Sequence, residues 1–301
     1  MDAVIIWTDT EGKEYRRERI ACLRDSLTED IGMRETRTRD DFILTLAAAA
    51  RNMTDLGRIY VISAFPPAWV NGFMEDCFPE RADRLTLVGF RELFSGFEGF
   101  LPSFSSIAAA TLLYRYHKMD DRFVLFRPEC IPMVPFSSSI LTRDGIPVYH
   151  GSIRRSDALS GRKERIFLPG PMPAVYSRKD MGTCLADNPG LLSTNLRHRF
   201  DSPISRNNPE GQIGLDILIA NRDGALTETG EPGRRMRRCR HQINGTMIQR
   251  LYPGSSDQLA ELLMQARSAP FLEFAPLESF PPGQRQAIMD FLCMHLKIRL
   301  P

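Results

Sequence analysis

Leu101-Pro-Ser-Phe-Ser-Ser-Ile-Ala-Ala-Ala-Thr-Leu-Leu-Tyr-Arg-Tyr-His-Lys118, Met119-Asp-Asp121, Arg122-Phe-Val-Leu-Phe126 and Arg127-Pro-Glu-Cys-Ile-Pro132 form one continuous stretch, running on to Phe136, on which the fold turns. Ser105 or Ser106 is placed to cap a helix in which Ile107, Ala110, Thr111 and Tyr114 recur at helical spacing, and Asp120 and Asp121 close it. The run Phe123 to Phe126 is too short and too uniformly apolar for a surface helix, which predicts a central strand covered on both faces. Arg127, Pro128 and Glu129 then stand at its carboxyl end, where open α/β sheets bind their ligands.

Toward the start of the chain, Ala3-Val-Ile-Ile-Trp7 is a second apolar, β-branched run, closed by Thr8-Asp9-Thr-Glu-Gly12, so Asp9 also falls at a strand's carboxyl end. Residues Glu14 to Ser26 are strongly charged, have little to bury and receive no function. Arg37-Thr-Arg39-Asp40-Asp41 leads into a helix from Phe42 to Met53, with Phe42, Leu46, Ala49 and Ala50 on one face and Asp40 or Asp41 as the N-cap. Arg58 to Ser63 and Leu85 to Val88 are two more strands, and Pro66-Pro67 breaks regular structure between them. Strands alternating with helices predict an α/β fold with a mostly parallel, Rossmann-like sheet flanked by helices and joined by right-handed crossovers.

After Tyr149 the composition shifts toward glycine, proline and arginine. Residues 1–150 are therefore read as an α/β half, and 151–301 as a helical and loop-rich half packed on the same core. Within the latter, Ser177 to Ala186 is a helix, Gln212 to Ala220 a helix or strand, and Asn221 to Arg240 a polar loop. Ser256 caps Asp257 to Ala266. Pro281-Pro282 opens a last helix whose Ile288, Phe291, Leu292, His295 and Leu296 form one apolar stripe suited to core packing.

Charge is nearly balanced, 39 Lys plus Arg against 37 Asp plus Glu, so the net charge of +2 selects no polyanionic partner. The densest positive cluster, Arg234-Arg-Met-Arg-Arg-Cys-Arg-His241, lacks the interleaved aromatics that stack on bases; this argues against nucleic acid and leaves a solvated loop, a sugar phosphate or an acidic membrane surface as readings. No run approaches a spanning helix and no signal segment opens the chain, which predicts a cytoplasmic protein, with that cluster offering peripheral contact to the inner membrane face. The six cysteines share no flanking pattern and no metal-ligand spacing, so they read as reduced, buried thiols. His117, His150 and His241 are likewise isolated.

Six spaced fragments, in order, resemble the Stealth family of sugar-phosphate transferases, the capsular and exopolysaccharide phosphotransferases. They are Ile6-Trp7-Thr8-Asp9, Arg37-Thr-Arg39-Asp40, Ile59-Tyr-Val-Ile-Ser63 with Pro67-Ala-Trp69-Val70, Leu101-Pro-Ser-Phe104-Ser-Ser106, His198-Arg199-Phe200-Asp201-Ser202-Pro203, and Ala269-Pro270-Phe271-Leu-Glu273. The resemblance implies transfer of a sugar-1-phosphate from a nucleotide diphosphate sugar to a glycan hydroxyl in cell-surface polysaccharide synthesis. It places Asp9, Arg39, Asp40, Glu129 and Arg199 as catalytic candidates, and Arg37, Ser105, Ser106, Arg127 and Asn244 as substrate-binding ones.

Four departures fall where charge would act. The family's paired aspartates after the central strand are Arg127-Pro128-Glu129, a histidine is Pro169, an arginine is Asp201 and an aspartate is Gly245. Magnesium, which the family's chemistry implies, would be left with Asp9 and Glu129 as ligands, and Arg127 would take over part of its role by pairing with phosphate. Each candidate also has a plainer use: Asp9 as a turn cap, Asp40 as an N-cap, Glu129 in a surface ion pair. The alternative function is a catalytically degenerate relative that binds glycan or nucleotide sugar without turnover.

Overall fold

A computed structural model describes residues 1–25, 38–156, 164–204, 208, 210–222, 225–229, 241–243, 246–253 and 259–300. The first part runs β1 (Asp2–Ile6), α1 (Lys13–Asp25), α2 (Arg39–Asn52), β2 (Ile59–Ser63), α3 (Trp69–Cys77), β3 (Leu85–Gly89), α4 (Phe90–Leu93), α5 (Ser106–Leu112) and β4 (Arg122–Phe126). There follow β5 (Cys130–Pro132), β6 (Thr142–Arg143), β7 (Ile146–Ser156), β8 (Glu164–Pro169), β9 (Ala174–Ser177), α6 (Arg178–Asp187), α7 (Leu191–Arg197) and α8 (Leu215–Ala220). Last come β10 (Leu226–Thr229), β11 (His241–Ile243), β12 (Thr246–Leu251), α9 (Leu259–Ala266), β13 (Phe271–Phe274) and α10 (Pro282–Leu296).

Among the described residues the main sheet has the order β3-β2-β1-β4-β9, parallel except for β9, which runs against β4. This is the expected mostly parallel α/β sheet. Because side chains alternate across a strand, β1 sends Ala3 and Ile5 to one layer and Val4 to the other, and β4 likewise divides Val124 and Phe126 from Phe123. The first layer holds α2, α10 and β13; the second holds α4, α5, α6, α7 and α8. Helix α2 is covered nearly all round: Phe42 to Ala50 are buried without a break, and the small Ala47–Ala50 run lets it lie close to its neighbours.

The second half contains the expected helices α6 and α10, but also strands that the sequence reading does not place. β10-β7-β6, with β8 on β7, form one further sheet, and β11-β12-β13-β5 another. The segment read as a polar loop contains β10, and Gln212 to Ala220 resolves into the short helix α8.

Three local expectations are corrected. The N-cap of α2 is Thr38, not Asp40 or Asp41: Thr38 Oγ1 accepts from the Asp41 amide at 3.2 Å, and the buried Asp41 carboxylate accepts from the Thr38 amide at 2.9 Å, a reciprocal capping box. Helix α5 stops at Leu112 and tightens into a 3₁₀ turn, so Asp120 and Asp121 do not end it; its covered face is Ala108, Ala109, Thr111 and Leu112. Asp121 instead receives the Lys179 amide at 3.1 Å at the start of α6. Helix α3, after Pro66-Pro67, supplies the crossover between β2 and β3 that the sequence reading lacks.

Candidate functional site

At the carboxyl end of β1, Trp7 continues the Ala3 and Ile5 alternation into the first layer and stacks on Phe42 with ring centres 4.3 Å apart and planes 8° apart. Trp69 meets the same pair edge-on. The chain then turns sharply: Asp9 Oδ1 accepts the Glu11 amide at 3.1 Å, and the Asp9 carbonyl accepts the Gly12 amide at 3.3 Å. Asp9 thus does cap the turn, as its plainer reading has it, while its residue also lines a cleft of about 420 Å³. Trp7, Thr10 and Glu11 line that cleft with it; Tyr15, Arg16, Arg19 and Ile20 come from α1, Thr38 and Arg39 from the start of α2, and Glu278 from the turn after β13.

Arg39 is the most constrained of these groups. Its guanidinium lies 4.1 Å over the Trp69 ring, and its Nε is buried with no hydrogen-bond acceptor. A stacked guanidinium keeps its in-plane donors aimed outward, and a buried donor left unmade costs on the order of 1–3 kcal/mol. Among the described residues, neither Arg16 nor Arg39 forms an ion pair, although Asp9, Glu11 and Glu278 share the lining. Arg16 and Arg39 therefore share one cleft with Asp9, Glu11 and Glu278 without forming an ion pair to them.

At the carboxyl end of β4 the arrangement is the reverse. Arg127 follows the alternation of Phe123 and Leu125, so it enters the second layer, opposite to Trp7. There its Nη2 donates to Asp216 on α8, and the Tyr176 phenol joins them. Burial works against the Arg127 charge, but the Asp216 carboxylate outweighs it and raises the guanidinium above its ordinary value. Gly214 leaves space for this pair, because a Cβ there would collide with the Asp216 carboxylate. Glu129 leads directly into β5, its carbonyl accepting the Phe274 amide at 2.9 Å.

Of the sequence candidates, the cleft brings together Asp9 and Arg39 and includes neither Arg127 nor Glu129. Arg127 has its charge matched by Asp216 instead of standing ready for phosphate. Ser105 and Ser106 are also spent internally: both hydroxyls donate to Asp201 at 2.7 Å, and the same carboxylate accepts the Ile107 amide at 3.1 Å. Asp201, one of the departures from the family pattern, thus supplies an anion at the start of α5. Asp40 pairs with Arg285 on α10 at 3.2 Å. Arg199 is exposed behind α1, with Nη1 3.7 Å from Cys22 Sγ, and does not line the cleft. Arg37 and Asn244 lie outside the described residues, as does the Arg234 to His241 cluster apart from His241.

Sequence reading missed Tyr15, Arg16 and Arg19, although positions 15, 16, 19 and 20 share one face of a helix and the signal was present in their spacing. Asp216 carried no such signal, since its partner lies 89 residues away. For magnesium, the donor set does not fit. Glu129 is not on the cleft, one Asp9 oxygen already takes a backbone amide, and among the described residues no three His, Cys, Asp or Glu side chains are grouped to hold a metal ion. Among the described residues no two cysteines pair, and no helix is long and apolar enough to cross a membrane.

No protein-family model and no curated protein matches this chain. Among solved structures, it is similar to the glycosyltransferase GlyE of Streptococcus pneumoniae TIGR4, at 11% identity over 100% of this chain and 65% of that one, with a TM-score of 0.48. It is similar also to the galactosyltransferase LgtC in complex with donor and acceptor sugar analogs, at 11% identity over 100% of this chain and 98% of that one, TM-score 0.48. Mouse xyloside xylosyltransferase 1 matches at 10% identity over 91% of this chain and 97% of that one, TM-score 0.38. The chain spans less than two thirds of the length of GlyE. None of these superpositions reaches a TM-score of 0.5, and none assigns a residue or a reaction to this chain.

Proposed function

We propose that the cleft at the end of β1 takes a nucleotide diphosphate sugar, and that the chain moves its sugar-1-phosphate onto a glycan hydroxyl in the synthesis of a cell-surface polysaccharide. The observation that carries the reading is Arg39, stacked on Trp69 with a buried donor lacking an acceptor, in one cleft with Asp9 at the carboxyl edge of a parallel sheet. The ordered fragments that resemble the Stealth family support the kind of transfer. A ligand that joins a diphosphate to hydroxyl-rich rings suits a lining of arginines and carboxylates: guanidinium forks pair with phosphate oxygens, and carboxylates accept from hydroxyls.

In the reaction, the acceptor oxygen attacks the phosphorus that bears the sugar, the bond from that phosphorus to the bridging oxygen breaks, and nucleoside monophosphate departs. Arg39 faces the diphosphate and offsets the charge gathering on the leaving phosphate. Asp9 is the carboxylate assigned to orient the acceptor hydroxyl and take its proton. A second reading, binding without turnover, is favoured by one specific observation: the tip of β4, where the family's paired aspartates stand, is here closed by the Arg127–Asp216 pair.

The test is phosphorus NMR of the full chain with uridine, guanosine and cytidine diphosphate sugars and an oligosaccharide acceptor. Sugar-1-phosphate transfer gives nucleoside monophosphate together with a new phosphodiester resonance. Nucleoside diphosphate with no phosphodiester would mean glycosyl transfer and would overturn the proposal. Saturable binding with no product selects the second reading, and absence of binding removes both.

A further inference from the structure

The family resemblance implies magnesium, and the donor set of this chain does not fit it. Where two aspartates would meet a divalent cation there is a cation already, Arg127, turned into the second layer and paired with Asp216. In the cleft itself, Arg16, Arg19 and Arg39 reach the lining from two different helices. A guanidinium is always charged and offers donors in a fork that matches the non-bridging oxygens of a phosphate, so it neutralises a diphosphate directly. The carboxylates on the same lining make its summed charge unremarkable; anion selectivity then rests on the position of Arg39, held by the indole behind it.

We infer that the cleft holds a nucleoside diphosphate group through Arg39, assisted by Arg16 and Arg19, and needs no divalent cation to do so. The inference rests on the proposed function only for the choice of ligand.

Calorimetric titration of the full chain with the diphosphates of uridine, guanosine, adenosine and cytidine, first with excess magnesium and then with EDTA, tests it. For whichever nucleotide binds, the Kd is expected to agree within about twofold between the two conditions. Arg39→Ala weakens binding by about ten- to a hundredfold in both, the range for charge-assisted hydrogen bonds, and Arg39→Lys restores only part of it. Arg16→Ala, an exposed change that leaves the fold alone, lowers affinity by a smaller factor and covers the case in which the Arg39 variant does not fold. A tenfold or greater loss of affinity in EDTA would overturn the inference while leaving the proposed function intact. Wild-type affinity in a folded Arg39→Ala chain would overturn it as well. If no nucleotide binds in either condition, the proposed function falls together with the inference.

Discussion

β1 and β4 lie side by side, parallel and in register, and end at the same edge of one sheet, yet their tips have opposite fates. The tip of β1 opens on a cleft in which, among the described residues, Arg16 and Arg39 form no ion pair; the tip of β4 is closed by internal bonds. Parity makes the difference. Trp7 and Arg127 each extend the alternation of their strand by one step, but that step carries Trp7 toward α2 and Arg127 toward α8. A sheet's carboxyl edge is therefore a place where a site can form, and the layer into which the first side chain past the strand falls decides whether it does.

The most severe way to break this contrast is to open the closed tip. Asp216→Ala leaves the Arg127 guanidinium facing Tyr176 without its hydrogen-bonded carboxylate. Removing one partner of a fully buried pair costs roughly 3–5 kcal/mol. With the Arg127 side chain 34% exposed and Asp216 17%, about 2 kcal/mol is expected here, a fall in Tm of several degrees. Thermal unfolding of Asp216→Ala, Arg127→Leu and the double variant checks it: the double variant is expected to recover part of the loss. A single variant as stable as the wild type would mean that the pair does not close the tip.

A smaller effect is expected from Asp201→Ala, which removes the acceptor of two hydroxyls and one amide at the start of α5. Because Asp201 is solvent-exposed, the cost is about 1 kcal/mol. Nucleotide affinity should not change, since Ser105 and Ser106 do not line the cleft. If freeing those hydroxyls raised or lowered affinity several-fold, the boundary between the open and closed regions would have to be redrawn to include them.

The four parallel strands of the main sheet were legible because each is a compact apolar run, and an interior strand covered on both faces has no polar alternation to confuse the reading; the antiparallel β9 was not read. β5 and β10 were not, because they are short and their partners lie far along the chain: β5 pairs with β13 across some 140 residues, and β10 with β7. The cap of α2 was legible and misread. Thr38 and Asp41 have the spacing of a capping box, but the aspartates nearer the apolar run drew the assignment. In the site, Asp9 and Arg39 could be found from their positions beside a strand end and a helix start. The closing partners of the other candidates, Asp216 for Arg127, Asp201 for Ser105 and Ser106, and Arg285 for Asp40, are set only by tertiary packing.

Acid sharpens the comparison by acting on a closed region far from either tip. Burial pushes the Asp55 carboxyl up, but the hydroxyl and amide of Ser138 together outweigh it and hold the group below its ordinary value of 3.8. A carboxyl depressed on folding contributes stability above its unfolded value and loses it as pH falls through the folded one. The difference in stability between wild type and Asp55→Asn, less than about 1 kcal/mol at neutral pH for so exposed a group and read as a gap in Tm, should therefore close below about pH 4. A gap that persists unchanged as pH falls well below that value would mean the ionised carboxylate is not what Ser138 binds.

The smallest change expected is at Asp40, which the family resemblance counts as catalytic and the fold pairs with Arg285. With the two side chains 28% and 40% exposed, the pair belongs with surface ion pairs, worth about 0–0.5 kcal/mol. Asp40→Ala should leave Tm within about one degree of wild type, and it should leave nucleoside diphosphate affinity untouched, because its neighbour Arg39 owes its position to Trp69 and not to that carboxylate. The decisive measurement is the titration of this variant beside Arg39→Ala. If Asp40→Ala abolished binding with an unchanged Tm, the open site would extend one residue further along α2 than the cleft does, and Arg285 would have to release Asp40 whenever ligand arrives.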